Sequence, residues 1–457
     1  MRNAIAALLT LCLLPGLAAH AANPDIIVTK FTDSLDGACD TDCSLREAVQ
    51  KANETPGASR IALRAGIYNI SLAPEQDENE FITDEDGNTN GDLDIRGQLV
   101  IVGAGLDKTT IDAHRLDRAL QLHPGASVQI TGLTIRNGRQ SLRAGAIDIL
   151  NGATLLLRSC GITNNIAGGS YEAAGYAGAI ANAGTLTVES SRIDGNQSAR
   201  GERPGRSYGG GIYNTGTLTV RETRFINNLA RDHEGSGFGG ALFNSGVAWI
   251  LRSSFEANQT GWAGAGTTIL NKDGGVLRME NSTVTTGSES DNSGEIGAVA
   301  NGMAEDTVPA VMKLVNVTIA GNLSHGLLNY GKLDILDSII AGNGTHRAPE
   351  GVEQNCLNET PNARFTQKGL LRGTDDFTNC EADIVVPNAA VFTSVLYPLA
   401  LNNWVTPTFA LRPHSPAVDA AVAACPSTDQ RRVTRPRDGN GDGVAICDLG
   451  AYERPKP

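Results

Sequence analysis

Aromatic residues supply only 5% of this chain, whereas glycine alone accounts for 53 of its 457 residues. Compact domains fill their interiors with large side chains, so this balance argues against a conventional globular core. Beyond the first twenty residues no apolar run approaches the roughly 20 residues that a membrane-spanning helix needs, which excludes a transmembrane segment. Basic side chains are also short in number, with 37 lysines and arginines against 50 aspartates and glutamates. That acid surplus excludes nucleic acid and anionic lipid surfaces as partners.

The chain opens with a leader pattern. Arg2 precedes an apolar run from Ala4 to Leu14, a Pro15-Gly16 break and Ala19-His20-Ala21, the layout of a cleavable secretory signal over residues 1–22. Cys12 lies inside the apolar run without the small-residue setting of a lipoprotein signal. Loss of Arg2 leaves 36 basic and 50 acidic groups, a net charge of −14. The expected product is a soluble monomer, secreted, periplasmic or at the cell surface.

Seven cysteines follow the leader and cluster toward the two ends, as local staples in an oxidising compartment would. The expected pairs are Cys39 with Cys43, Cys356 with Cys380, and Cys425 with Cys447. Cys160, on a strand pattern between Leu157 and Ile162, is expected as a buried small hydrophobe.

The middle of the chain repeats. Gly178-Ala-Ile-Ala-Asn182-Ala-Gly-Thr-Leu-Thr-Val188 aligns with Gly210-Gly-Ile-Tyr-Asn214-Thr-Gly-Thr-Leu-Thr-Val220 and with Gly240-Ala-Leu-Phe-Asn244-Ser-Gly-Val-Ala-Trp-Ile250. Asn182, Asn214, Asn244, Asn271, Asn301 and Asn329 recur at spacings of 27 to 32 residues. A period in this range marks a solenoid, whose units bury their apolar faces only by stacking. Runs such as Thr185-Leu-Thr-Val188 alternate with the period of a strand that has one face inward. A second signature, Phe225-Ile-Asn-Asn228, Phe255-Glu-Ala-Asn258 and Ile193-Asp-Gly-Asn196, continues at Ile319 to Asn322 and Ile340 to Asn343. Asparagine tolerates left-handed turns and, stacked coil upon coil, forms an amide ladder. The period gives roughly nine coils between Gln98 and Asn343. The fold class is therefore all-β, a right-handed parallel β-helix, with an N-terminal cap over 23–97, repeats over 98–345 and a disulfide-stapled C-terminal cap over 346–457. These paired motifs resemble the repeats of the polymorphic outer membrane proteins, whose passenger regions are β-helical adhesins. Those proteins continue into a membrane barrel that nothing after Asn343 supplies, so surface anchoring is not implied.

An open β-helix exposes strand edges at both ends unless they are covered. Ser44 followed by Glu47 forms a capping box, and Leu45, Ala48, Val49 and Ala52 share one face of the helix that follows. Cys43-Ser-Leu-Arg-Glu-Ala48 is similar to the signature of the CSLREA-domain family of exported bacterial β-helix proteins. Ser415-Pro-Ala-Val-Asp419, Asp429-Gln-Arg431, Arg435-Pro436 and Cys447-Asp-Leu-Gly-Ala-Tyr-Glu453 resemble the closing segment of many of its members. The resemblance implies export and a β-helix, and no common activity.

Two acidic loops have the rhythm of calcium loops. One offers Asp438, Asn440 and Asp442, with Asp448 as closing ligand; the other, running to Asp94, offers Asp86, Asn88, Asn90 and Asp92. Both lack the terminal glutamate, and solvated acidic turns are the competing reading. Polar insertions at 167–176, 198–208, 230–238 and 287–296 fall at one repeat position, which stacks them into one lateral face. Tyr176, Tyr208, Phe238 and Trp262 precede the repeat glycine and are expected to form a column, either a packing ladder or a platform for sugar rings. Arg203, Arg206, Arg231, His233 and Glu234 lie in the same loops and could hold or deprotonate an acidic glycan. The Asn-Thr-Asp and Gly-His-Gly signatures of β-helical pectin hydrolases are absent. The favoured function is an adhesin-like, non-catalytic protein that binds glycan or envelope surface through the loop face. A polysaccharide lyase or hydrolase acting on an acidic glycan is the alternative, with Arg203, Arg231, His233 and Glu234 as its candidate catalytic residues.

Overall fold

The computed structural model describes residues 25–457 apart from 79–80, 169–173, 200–205, 232–235, 262–263, 290–296, 346–351, 360–362 and 377. The leader expected over 1–22 lies outside the described residues. Three parallel ladders run the length of a solenoid. The first stacks five-residue strands such as Thr185–Glu189 on Thr217–Arg221 and Val247–Leu251. The second stacks Arg192–Asp194 on Arg224–Ile226 and Ser254–Glu256. The third stacks Ile180–Asn182 on Ile212–Asn214 and Leu242–Asn244. Six short strands beginning at Arg139–Gln140 extend the second ladder's edge, and a three-stranded strip, Gly175–Tyr176, Arg206–Tyr208 and Ser236–Phe238, precedes the third.

Alternation along each strand sends one residue in and the next out. Leu186, Val188, Ile193, Ile212, Leu218, Val220 and Phe225 are fully buried inside, where Phe225 stacks on Phe255 at 4.6 Å. The repeat glycines are required by crowding between coils. A Cβ on Gly210 would lie 2.4 Å from the main-chain oxygen of Gly240 in the next coil.

Both sets of recurring asparagines form amide ladders, as their period predicts. In the third ladder Nδ2 of Asn182, Asn214, Asn244, Asn271, Asn301 and Asn329 each donates to Oδ1 of the next coil's asparagine at 2.6–2.9 Å, ending on Asn358. The second series runs Asn165, Asn196, Asn228, Asn258 and resumes through Asn322, Asn343 and Asn355. Gly287 interrupts it, donating its main-chain N–H to Asn322. The left-handed residue of this turn is the one before the ladder asparagine, as at Asn164, Gly195, Asn227 and Ala257.

The solenoid exceeds the expected repeat boundaries at both ends. Among the described residues ten strands build the third ladder, from Leu93–Ile95 to Cys356–Asn358, and eight of them fall between Gln98 and Asn343, where the period gave roughly nine coils. The mean period is near 30 residues, and the first coil, with Ala58–Ala62 and Gly66–Asn69, is built from residues assigned to the cap. The helix α1 (Leu45–Glu54) is inserted between Ile26–Ile27 and Ala58–Ala62, which pair directly. Ser44 and Glu47 make the capping box, and Leu45, Ala48, Val49 and Ala52 join the main core.

The C-terminal region does more than cap the end: Phe365, Cys380 and Ala382 pack on the main core at the last coil, stapled by Cys356–Cys380, and the segment that follows lies along the flank of the later coils. At the corner between the first and second ladders Glu222, Arg252, Asn281, Asn316 and Asp337 adopt left-handed conformations, with φ of 44–50°. The tail bonds each of them. Arg432 pairs with Glu222 at 2.6 Å, Thr406 donates to the Arg252 carbonyl, Asn281 donates to the Thr428 carbonyl, Asn316 to the Asp448 carbonyl, and the Gly450 amide to the Asp337 carbonyl. Disulfides Cys39–Cys43, Cys356–Cys380 and Cys425–Cys447 form as expected, and Cys160 is free and buried.

Candidate functional site: the outer face of the third ladder

The middle residue of each third-ladder strand points away from the core. In register these residues are Asp94, Gln121, Asp148, Ala181, Tyr213, Phe243, Leu270, Ala300, Leu328 and Leu357. The column therefore changes along the solenoid axis from acidic to aromatic and then to aliphatic.

In the aromatic stretch, Tyr176 and Tyr208 stack at 5.1 Å, and Tyr208 and Phe238 at 5.2 Å. Strand spacing of about 4.8 Å between coils sets this separation. The expected column thus exists for three of its four rings; Trp262 lies outside the described residues. Tyr213 and Phe243, which the sequence reading passed over, stack at 5.0 Å and meet the first column edge to face. Phe238 and Phe243 are buried, while Tyr176, Tyr208 and Tyr213 are half-buried. Within the stacks the ring faces are turned to one another, so the phenols offer edges and hydroxyls. Burial raises the Tyr176 and Tyr213 hydroxyls above the ordinary phenol range. The Arg206 guanidinium lies 5.7 Å from the Phe238 ring, and the Arg206 and Arg231 side chains are exposed. Arg203, His233 and Glu234 lie outside the described residues.

In the acidic stretch, Arg118 is almost fully buried and faces four carboxylates: Asp84 at 2.7 Å, Asp92 at 3.1 Å, Asp148 at 3.3 Å and Asp117 at 3.8 Å. Arg143 binds Asp148 at 3.0 Å. Desolvation raises the acids Asp92, Asp117 and Asp148 despite these cations, Asp117 to about 6. Desolvation works against the Arg118 charge as well, yet the surrounding carboxylates, Asp92 foremost, raise it well above the ordinary guanidinium range.

The loop from Asp86 to Asp94 folds around a protein cation. The Arg46 guanidinium, 1% exposed, pairs with Asp33 through Nε and NH2 at 3.0 Å. It also donates to the main-chain oxygens of Asn90, Gly91 and Asp92 at 2.7–3.1 Å. Asn88 is buried against Asp94 and the Arg46 carbonyl, and the Asp92 carboxylate faces Arg118. Calcium takes six to eight oxygens; here Asn88, Asn90 and Asp92 direct theirs to protein groups, and only the Asp86 carboxylate of the four expected ligands stands exposed.

The second loop is likewise self-satisfied. Asp438 accepts the amides of Gly441 and Gly443 and pairs with Lys456, Asp442 accepts the Val444 amide, and Asn440 accepts the Asp442 amide. Asp448 is fully buried, taking amides from Asp419 and Arg454. The tail motifs instead converge on Arg435, which donates to the Asp448 and Gly450 carbonyls and faces Glu453 at 3.4 Å.

No family model and no curated protein matches the chain. Among solved structures, pectate lyase Pel9A is similar over 94% of this chain and 97% of its own, at 13% identity and a TM-score of 0.46. The A-module of the Azotobacter vinelandii mannuronan C-5 epimerase AlgE4 is similar over 73% of this chain and 78% of its own, at 15% identity and a TM-score of 0.36. The alginate lyase AlyGC of the PL6 family is similar over 84% of this chain and 55% of its own, at 11% identity and a TM-score of 0.31. At these identities the likeness assigns no residue of this chain a role.

Proposed function

We propose that this protein is an exported, CSLREA-type β-helix that retains polysaccharide or other envelope material on the outer face of the third ladder without turning it over. One observation carries the reading. The polar insertions enter beside the same ladder, and where they are described they place the exposed Arg206 guanidinium 5.7 Å from the Phe238 ring, which stacks on half-buried Tyr208, with exposed Arg231 on the neighbouring strand whose carbonyl accepts the Ser207 hydroxyl. Guanidinium groups beside aromatic edges suit carboxylate-bearing sugars, because the fork geometry fits a carboxylate and aromatic edges add apolar contact. Three disulfides accord with an oxidising compartment.

The test is retention of the mature protein on a panel of immobilised acidic and neutral polysaccharides, with the size distribution of the recovered chains measured in parallel. The double variant R206A/R231A, altered only at exposed side chains, is expected to keep its circular dichroism and lose at least about tenfold in affinity for an acidic glycan, as removal of two charge-assisted contacts implies. Unchanged retention would move the site off this face. Shortened chains would replace the binding reading with a lyase or hydrolase.

A further inference from the structure

The acidic stretch ends, at the first coil, in a different chemistry. Strand alternation sends Gln121 and His123 outward from Leu120–Leu122 and its extension, with Asp94 opposite Gln121 in the preceding coil. His123 is 6% exposed, and its Nε2 lies 2.6 Å from Asp94 Oδ1 and 3.9 Å from Asp86 Oδ1. One ligand atom from each of the three residues lies within 4.8 Å of the other two. A tetrahedral ion with ligands at about 2.0–2.1 Å holds them roughly 3.3 Å apart, a value between these two separations.

Three further features fit an ion at this point. A cavity of about 300 Å³ opens beside the group, lined by Asp86, Asp94, Asn88, Asn53, Glu54 and Arg96, and gives access from solvent. The second oxygen of Asp94 accepts the Asn88 amide at 3.0 Å, and Asn88 is anchored on the Arg46 carbonyl, so the ligand is oriented from behind. The side-chain oxygen of Gln121, a residue only 3% exposed whose amide nitrogen donates to Asp84 at 2.9 Å, has no hydrogen-bond donor among the described residues and sits in register beside Asp94.

We propose that Asp86, Asp94 and His123 form a binding site for a divalent transition metal of the zinc class, with its remaining coordination position open to the cavity. An imidazole with two carboxylates favours such an ion over calcium, which calls for an all-oxygen cage. The site lies apart from Arg206 and Arg231 and does not depend on glycan retention.

The test uses tag-free mature protein stripped with a chelator, titrated calorimetrically with zinc chloride alone and, separately, with cobalt chloride followed by visible absorption. One zinc equivalent per chain and the intense absorption of four-coordinate cobalt are expected. Asp86→Ala, at an exposed side chain, is expected to keep the fold and weaken zinc at least about tenfold, and His123→Gln to abolish the cobalt spectrum. Failure to saturate at one equivalent, unchanged zinc affinity in folded Asp86→Ala, or calcium binding the site in preference to zinc would each overturn the assignment. Should His123→Gln not fold, the Asp86 variant decides alone.

Discussion

Truncating an asparagine inside the third-ladder series tests whether that ladder is a source of stability or only a consequence of the repeat. Asn244 is fully buried; its Oδ1 accepts from Asn214, and its Nδ2 donates to Asn271 at 2.7 Å and to the Gly246 carbonyl at 3.2 Å. Asn244→Ala leaves the Asn271 side-chain oxygen without its ladder donor. It takes one acceptor from the Asn214 amide, which retains the Gly216 and Val247 carbonyls. An orphaned buried acceptor costs about 1–3 kcal/mol, and the partly compensated donor and the small void add to it, giving about 3 kcal/mol. Asn358 ends the ladder half-buried, and its loss removes a single acceptor from Asn329, which keeps the Gly331 and Arg364 carbonyls. Asn358→Ala should therefore cost no more than about 1 kcal/mol. With an unfolding entropy of about 2.1 cal/mol/K per residue over about 430 residues, the first variant lowers Tm by about 3 °C and the second by about 1 °C. Urea unfolding followed by far-ultraviolet circular dichroism gives the free energies directly. Equal losses at the two positions would refute the claim that interior ladder amides stabilise by mutual satisfaction. Asn244→Asp supplies a control of equal size: it cannot donate to Asn271 at neutral pH, so it should destabilise there and recover as the carboxyl protonates.

Two further outcomes follow from buried charges. Arg46→Ala should cost about 3 kcal/mol by taking the cation from the buried Asp33 carboxylate, which keeps only the Ser71 and Leu72 amides, read as early proteolysis at α1 in mild urea; cleavage kinetics like those of the parent would refute the role given to Arg46. Burial pushes Glu453 up to about 7 against Arg435, and Asp448 up to about 6 against its amide partners. Both folded values exceed the unfolded ones of about 4, so this stabilisation is complete below about pH 4 and is lost as pH rises through about 6 to 7. Tm should accordingly fall between about pH 5 and pH 8, and Glu453→Gln should flatten the slope; a parent Tm that rises over this range would contradict the sign.

The solenoid was legible because its cause is local and repeated. Each coil meets a near copy of itself, so one period read along the chain gives strand, turn glycine and ladder asparagine together. The glycine at 210 and the asparagine at 214 are dictated by the neighbouring coil at 240 and 244, which the sequence displays in alignment. The acidic stretch has no such signature. Arg118 collects carboxylates from positions 84, 92, 117 and 148, and only the register Asp94, Gln121, Asp148 brings them onto one face. Writing Leu93-Asp-Ile95, Leu120-Gln-Leu122 and Ile147-Asp-Ile149 beneath one another would have exposed that column, and with it His123. The Asp86–Asp94 loop has a partner that its own sequence does not show. Its main-chain oxygens at Asn90, Gly91 and Asp92 meet Arg46, the arginine of the Cys43-to-Ala48 segment itself.

The same logic accounts for the tail motifs around Asp429, Arg435 and Asp448. A left-handed corner costs a residue with a Cβ roughly 1–2 kcal/mol, less for asparagine and aspartate, whose side chains can bond locally. This solenoid places such a corner in successive coils and fills it with Glu222, Arg252, Asn281, Asn316 and Asp337. The tail bonds each one, by side chain or by main chain, and in doing so ties together coils that otherwise touch only their neighbours. A stack with nearest-neighbour contacts frays one coil at a time. A strap fastened at five successive corners makes fraying of any one of these coils break a contact with the strap as well. The charged knot of Asp429, Arg435, Asp448 and Glu453 is then the fastening of that strap.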